Sequence, residues 1–408
     1  MLPWEPALSV VRPEDEPVAE RHAFTAPAAV CPRSTRPAEP VRPMVRPQTR
    51  FPYPHRRFQS GDAAEISVLA RKIYGHSYID PDIYDPENLI LLNRKGQLFS
   101  AVALNEQGEV IAHAALKAQA FSPTVIELGM AFVDPQYRNR DCLKHLTVYL
   151  ADLAASKNVS NVFVQSVTLH AVSQKVANDL GFRDTALRLD FMAKLEIRDA
   201  SSAPGTRLSL VMAALPLRPL LPEPLYVPRT HRLICARIYA QWGARPVFAA
   251  GIQRISDLAS GPGQFEVFME KHNASADILV SAIARNTGRE IMRLMEGPLL
   301  KSCEAVCLHL PLRNPASPLL ARLAEQAGFF FSGIFLDPGR GDRLLLQHLK
   351  WRRISYENLQ VHSELAGSLT AYILRRDPAQ TVAPLSAPFP VSLKSHARRF
   401  FHDFISLN

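Results

Sequence analysis

Between an apolar run, TVIELGMAFV, and a helix-patterned run, CLKHLTVYLADLAASK, the chain reads Arg138-Asn139-Arg140-Asp141-Cys142-Leu143-Lys144. A helix start has unpaired N–H groups and the positive end of the macrodipole, so Arg138, Arg140 and Lys144 beside it make a site for an anion. Asn139 tolerates the left-handed backbone that such loops use, while Asp141 adds a negative charge and Leu143 adds bulk. Glu127 lies upstream, in the apolar run. A carboxylate buried there has a raised pKa and suits a general base. It suits equally a carboxylate facing solvent from a half-exposed strand. His113 is a second base candidate on the preceding run, EVIAHAALKA. His170 ends the run VSNVFVQSVTL, where ligands approach, and is read as an acid or ligand contact. For both histidines a structural role is the competing reading. Ser173 has no histidine–acid arrangement around it and reads as a helix-start hydrogen-bonding residue rather than a nucleophile.

The elements that must position these residues follow from periodicity. DAAEISVLARKIY has helical spacing, and QLFSAVALNE and EVIAHAALKA flank a Gln107-Gly108 turn as hairpin strands. TVIELGMAFV is a third strand. Leu143, Leu146, Leu150 and Leu153 share one face of the next helix. VSNVFVQSVTL is a strand, HAVSQKVANDLGF a helix and TALRLDFMAKLE a closing strand, which together make an α/β domain over 58–196. A proline-rich linker over 197–224 leads to a second domain over 225–376. There EAVCLHLPL, SPLLARLAEQAGFF and SGIFL repeat the strand–helix–Gly–strand order of the first domain, either as an internal repeat or by chance recurrence. Tyr74, Tyr78 and Tyr84 either pack an irregular loop or, with Asp80, Asp82 and Asp85, line a pocket that favours a cation.

The chain has 408 residues, room for two cores. Its formal charge of +9 is concentrated in part between Pro32 and Arg57, where seven arginines face one acid, Glu39. Without a recognition helix or finger spacing, this reads as a solvated basic tail, and nucleic acid is not the expected partner. Residues 1–57 hold twelve of the 33 prolines and are expected to be disordered. The tail over 377–408 is expected to end in an amphipathic helix, LKSHARRFFHDFISL, and either tail is a candidate contact for a protein partner. Five scattered cysteines argue against a disulfide framework, and Cys303 and Cys307 lack a second ligand pair for zinc, so no metal is expected. No apolar run is long enough to span a membrane and the start is not a secretory signal, so the expected compartment is the cytoplasm.

VDPQYRNRDCLKHL, with the order of elements around it, resembles the GNAT superfamily of N-acetyltransferases. The family's loop pattern is Arg-Gly-x-Gly-x-Gly/Ala, so Asn139, Asp141 and Leu143 stand where small residues are usual. The stretch from HSYIDPDIYDPENL through VTLHAVSQKVANDLGF, continuing into PLRNPASPLLARLAEQAGFFFSGIF, resembles a two-domain subgroup, and the likeness covers roughly residues 60–376. It implies tandem GNAT-like domains, the second degenerate, and acetyl-CoA as cosubstrate held by Arg138 through Lys144. It further implies backbone N–H groups of Met130, Phe132 and Val133 for the thioester carbonyl, a glutamate base on this strand at Glu127, and direct transfer to an amine on a small molecule or protein. His170 stands at the family's asparagine position and Ala177 at its tyrosine position. A catalytically inactive acyl-CoA sensor or scaffold is the alternative.

Overall fold

DAAEISVLARKIY folds as helix α1 (Asp62–Tyr74) and buries Ala63, Ile66, Leu69, Ala70 and Ile73 along one face. Asp62 anchors its start, accepting hydrogen bonds from the Arg56 guanidinium at 2.7 and 2.8 Å and from the Gln59 backbone N–H at 2.7 Å. Helix α2 (Pro86–Arg94) is capped by Asp85, whose carboxylate accepts from the N–H groups of Glu87 and Asn88. The computed structural model describes residues 8–11 (as backbone), 46, 51–119, 121–157, 159–193, 207–220, 223–350 and 354–381.

The first half of the chain supplies strands β2 (His55–Arg57), β3 (Leu98–Leu104), β4 (Val110–Gln119), β5 (Ser122–Val133), β6 (Asn161–Val167), β7 (Arg183–Met192) and β8 (Leu208–Pro216). Helix α3 (Cys142–Ser156) links β5 to β6, and α4 (Val172–Asp179) links β6 to β7. The second half supplies the short strands β9 (Pro224–Leu225) and β10 (Val247–Phe248), then β11 (Gln264–Glu270), β12 (Ser275–Ala282), β13 (Ala305–Pro311), β14 (Phe330–Phe335) and β15 (Arg343–Leu349). Its helices are α5 (Arg232–Ala240), α6 (Thr287–Glu296), α7 (Ser317–Gln326), α8 (Glu364–Leu374) and α9 (Pro378–Thr381). With β1 (Leu8–Val11), these strands form a thirteen-stranded mixed sheet in the order β1-β11-β12-β13-β15-β14-β7-β8-β6-β5-β4-β3-β2, with β9 and β10 paired separately. The protein is therefore α/β, as its sequence implies.

Two runs of this sheet share one ladder pattern. Along β3-β4-β5-β6-β8-β7 the pairings are antiparallel, antiparallel, parallel, antiparallel, antiparallel. Along β1-β11-β12-β13-β15-β14 they follow the same sequence. The runs meet where β7 and β14 pair antiparallel at Gly333 and Ala186. Helices α3 and α4 cover one face of the first run. On its other face α1 packs near Phe132 and Met130, and an apolar cluster that includes Val125, Phe163, Cys307 and Phe335 continues across the seam.

Two sequence expectations need correction. The segment 197–224 is not all linker, because Leu208–Pro216 forms β8 and is buried throughout between β6 and β7. Within 1–57, Leu8–Val11 and His55–Arg57 are edge strands, and Arg46 pairs with Asp152 at 2.9 Å; the rest of that expectation falls largely outside the described residues. The amphipathic helix expected near the C-terminus lies outside them too. No helix among the described residues is long and apolar enough to cross a membrane.

Candidate functional site

Strands β5 and β6 run parallel and pair at only three positions, Val125 with Asn161, Ile126 with Val162, and Glu127 with Phe163. Beyond Glu127 they separate, so this carboxylate stands at the crotch of a fork. Met130, Phe132 and Val133 lie on the free part of β5. The cause of the bend is local: the β4–β5 register shifts between His113 and Ala115, and Met130 adopts a positive φ of 48°. His113 Nδ1 donates to the Met130 carbonyl at 2.7 Å and holds this bulge. The histidine is fully buried, and its burial pushes the pKa down to about 4. His113 is thus a neutral strut beside the Phe132 ring rather than a base at the fork, which corrects the sequence reading.

That burial has a consequence for stability. The unfolded chain takes up a proton on this imidazole near pH 6.5 and the folded protein only near pH 4, so stability falls as pH drops through that window. Between pH 6.5 and 5 the loss expected from this group is about 1.6 kcal/mol. His113→Gln can still donate to the Met130 carbonyl but does not titrate. Urea unfolding at the two pH values should show a smaller pH dependence for the variant by about that amount.

Glu127 is half-buried and fixed by two amides: Gln165 Nε2 donates to Oε1 at 3.0 Å and Gln119 Nε2 to Oε2 at 3.2 Å. Burial raises its pKa, against the lowering effects of the Gln165 hydrogen bond and Lys117. Lys117 is its cross-strand partner on β4 and is itself paired to Asp80 at 2.5 Å. The result is a carboxylate poised to take a proton closer to neutrality than usual, held in one orientation.

After β5, the Asp134 carboxylate receives Lys72 Nζ at 2.6 Å and the Gln136 N–H at 3.0 Å, closing the turn that leads into the basic loop. Asn139 and Asp141 both sit in the left-handed region, at φ of 61° and 58°. These are the positions where glycines were expected, and Asn and Asp are the other residues that visit this region readily. Asp141 is therefore compatible with the loop backbone. Its side chain does not cap α3; it meets Lys144 Nζ at 3.3 Å, and Lys144 also reaches Asp179 at 3.5 Å. Arg140 donates to the Tyr53 hydroxyl and lies 5.3 Å from the centre of the Tyr137 ring. Cys142 is buried, with its thiol pushed up by burial, and Leu143 packs against the core under α3.

At the start of α4, two buried polar atoms lack a partner, His170 Nδ1 and Ser173 Oγ. Ala177 is in the core beneath them and brings no hydroxyl. The basic loop is thus gathered at the start of α3 and Glu127 lies at the fork, while His113 sits behind the bulge. Gln165 and Gln119, which orient the Glu127 carboxylate, and Lys117, which opposes it across the strands, were not identified from sequence. Lone polar residues within apolar strands were the available signal.

No protein-family model and no curated protein matches the chain. Among solved structures it resembles N-acetyltransferases, with the likeness confined to about 40% of this chain. One is a GNAT superfamily phosphinothricin acetyltransferase from Sinorhizobium meliloti in complex with acetyl-CoA, at 18% identity and TM-score 0.34, covering 40% of this chain and 88% of that one. Another is an N-acetyltransferase from Staphylococcus aureus Mu50, at 16% identity and TM-score 0.35, covering 41% and 99%. A third is a ribosomal-protein-alanine N-acetyltransferase from Brucella melitensis, at 17% identity and TM-score 0.32, covering 40% and 98%.

Proposed function

We propose that the chain is an acetyl-CoA-dependent N-acetyltransferase built from two tandem GNAT-like domains, of which the first carries the site. The observation that carries this reading is the fork: β5 and β6 part immediately after Glu127, next to a basic loop whose two positive-φ residues lead into an uncapped helix start. That combination fits the diphosphate of a coenzyme A thioester near α3 and its pantetheine arm between the strands. The two unpartnered polar atoms at the start of α4 also fit such a ligand.

The cosubstrate would supply an activated acyl carbonyl. Glu127 would accept a proton from the ammonium of the acceptor, directly or through one water. The neutral amine would attack the thioester carbonyl, the C–N bond would form as the C–S bond breaks, and coenzyme A would leave as its thiol with the proton that the amine nitrogen gives up. Arg138 and Lys144 would bind the diphosphate, with Arg140 held by Tyr53 at the rim. Asp80, paired with Lys117, and Asp82, whose pKa burial and Asp80 raise to about 6, make the neighbouring loop favourable to a cationic acceptor. The second run keeps its parallel ladder closed for two further pairs, to Leu279 and His309, which supports giving it no acyl site of its own.

Calorimetric titration with acetyl-CoA tests the reading. Wild type should bind, and Arg138→Ala with Arg140→Ala should bind at least tenfold more weakly, roughly 1.4 kcal/mol or more. Asp141→Gly should bind several-fold more tightly, because it keeps the left-handed position and removes a carboxylate from beside the anion. Absence of binding by wild type at millimolar ligand would reject the enzyme and leave the scaffold reading.

A further inference from the structure

The equivalence of the two runs places a second carboxylate opposite the first. Glu127 is at the third pair of the β5–β6 ladder, and Asp277 is at the third pair of the β12–β13 ladder. Gln165, the partner of Glu127, lies two residues beyond Phe163 on β6; His309, the partner of Asp277, lies two residues beyond Cys307 on β13. One side chain joins these sites across the seam. Arg188 on β7 donates through Nη1 to Gln165 Oε1 at 3.0 Å and through Nη2 to Asp277 Oδ1 at 2.6 Å. It also stacks on the Phe191 ring, with Cζ 3.3 Å from the centroid.

A guanidinium only donates, so the Gln165 atom that it touches must be the oxygen. The amide nitrogen is then left facing Glu127, where it donates at 3.0 Å. Asp277 is held ionised by Arg188 and His309, although its burial acts the other way. The donor atoms of Asp277, Cys307 and His309 lie within 4.8 Å of one another, a set that suits a divalent ion. The Arg188 guanidinium already occupies the Asp277 carboxylate there and supplies the positive charge.

We propose that Arg188 and Asp277 are positioning residues for Glu127: Asp277, from the far half of the chain, anchors the guanidinium, and the guanidinium turns the Gln165 amide so that its N–H groups face the base. This rests on the reading of Glu127 as the base, and it gives the second half a part in the chemistry of the first. The other charged or titratable groups acting on Glu127 are Lys117 from β4, Glu270 from β11 and Tyr78 from the loop after α1. None of them makes this hydrogen-bonded bridge.

The test is the titration of Glu127 in the full chain, read by carbon NMR of glutamate labelled at the side-chain carboxyl, with Glu127→Gln used for assignment. The double variant Arg188→Met, Asp277→Asn keeps the net charge, but Arg188 also lowers the Glu127 pKa through its own charge. The double variant is therefore read together with Gln165→Leu and the triple variant, which separate charge from positioning. It should raise the Glu127 midpoint by about one pH unit. Gln165→Leu should do the same, and the triple variant should shift no further, because the residues act in series. An unmoved midpoint in the double variant, or shifts that add in the triple, would overturn the proposal. Should the double variant not fold, the wild-type nitrogen spectrum decides: Gln165 Nε2 and the Arg188 guanidinium should both follow the Glu127 titration, and a silent guanidinium rejects the link. No acceptor is needed for any of these readouts, so failure to find acetyl transfer stays distinguishable from failure of the bridge.

Discussion

Glu127→Gln should lower the rate of acetyl transfer by about 10²–10⁴-fold while leaving acetyl-CoA affinity within about twofold of wild type. The substitution keeps the shape of the side chain and the hydrogen bond from Gln165, with Gln119 turning its amide to accept from the new NH2, but an amide cannot accept a proton from an ammonium. Glu127 stands at the crotch of the fork, below the basic loop, so loss of the carboxylate is expected to act on the chemical step and not on the diphosphate. Transfer is measured by release of free thiol from acetyl-CoA with a panel of primary amines. The pH profile gives a second reading with a definite sign. Burial raises the Glu127 pKa, so wild-type activity should fall on acidification at a pH above the ordinary carboxylate range. The residual activity of the variant should lack that limb. A variant as active as wild type would remove the glutamate from the mechanism even if binding at the loop is confirmed.

Elements whose pattern was local were legible in the sequence. Helix α1 shows its full span in DAAEISVLARKIY, and the β3–β4 hairpin was marked by the turn at Gly108, which has a φ of 83°. Strand β8 was hidden because LSLVMAALP is buried on both faces and therefore does not alternate, and it runs straight into a proline-rich segment. Strand β2 was hidden by Pro52 and Pro54, which read as tail; an edge strand needs only one paired side and tolerates such neighbours. Glu127 stood out as a lone carboxylate in an apolar strand. Asp277 carries the same signal in SADILVSA, yet it went unread because no basic loop follows it. For His113 the sequence left a base and a structural role open, since the bulge that it braces is set by the Met130 backbone, and no residue pattern announces that backbone. Arg188 becomes informative only once β7 and β14 are brought together, a contact between residues more than a hundred positions apart.

That seam is where a single added methyl group should have the largest effect on stability. Gly333 pairs with Ala186 at the junction of the two runs and has a φ of 145°, a conformation that side-chain-bearing residues rarely adopt. A Cβ there would lie 2.4 Å from the Ala186 Cα, the Ala186 Cβ and the Thr185 carbonyl oxygen. Two of those three atoms belong to the backbone, so no rotamer change can move them away. Gly333→Ala must therefore strain its own backbone, part β14 from β7, or both, and the expected cost is about 3–5 kcal/mol. Denaturant unfolding should show a matching fall in midpoint. Adding Ala186→Gly removes the one side-chain contact and leaves the two backbone clashes, so it should recover only part of the loss. Because Arg188 lies two residues from Ala186 on the same strand, the alanine variant should also disturb the Arg188–Gln165 bridge and shift the Glu127 titration upward. An unfolding free energy within about 1 kcal/mol of wild type would show that the halves do not meet this closely.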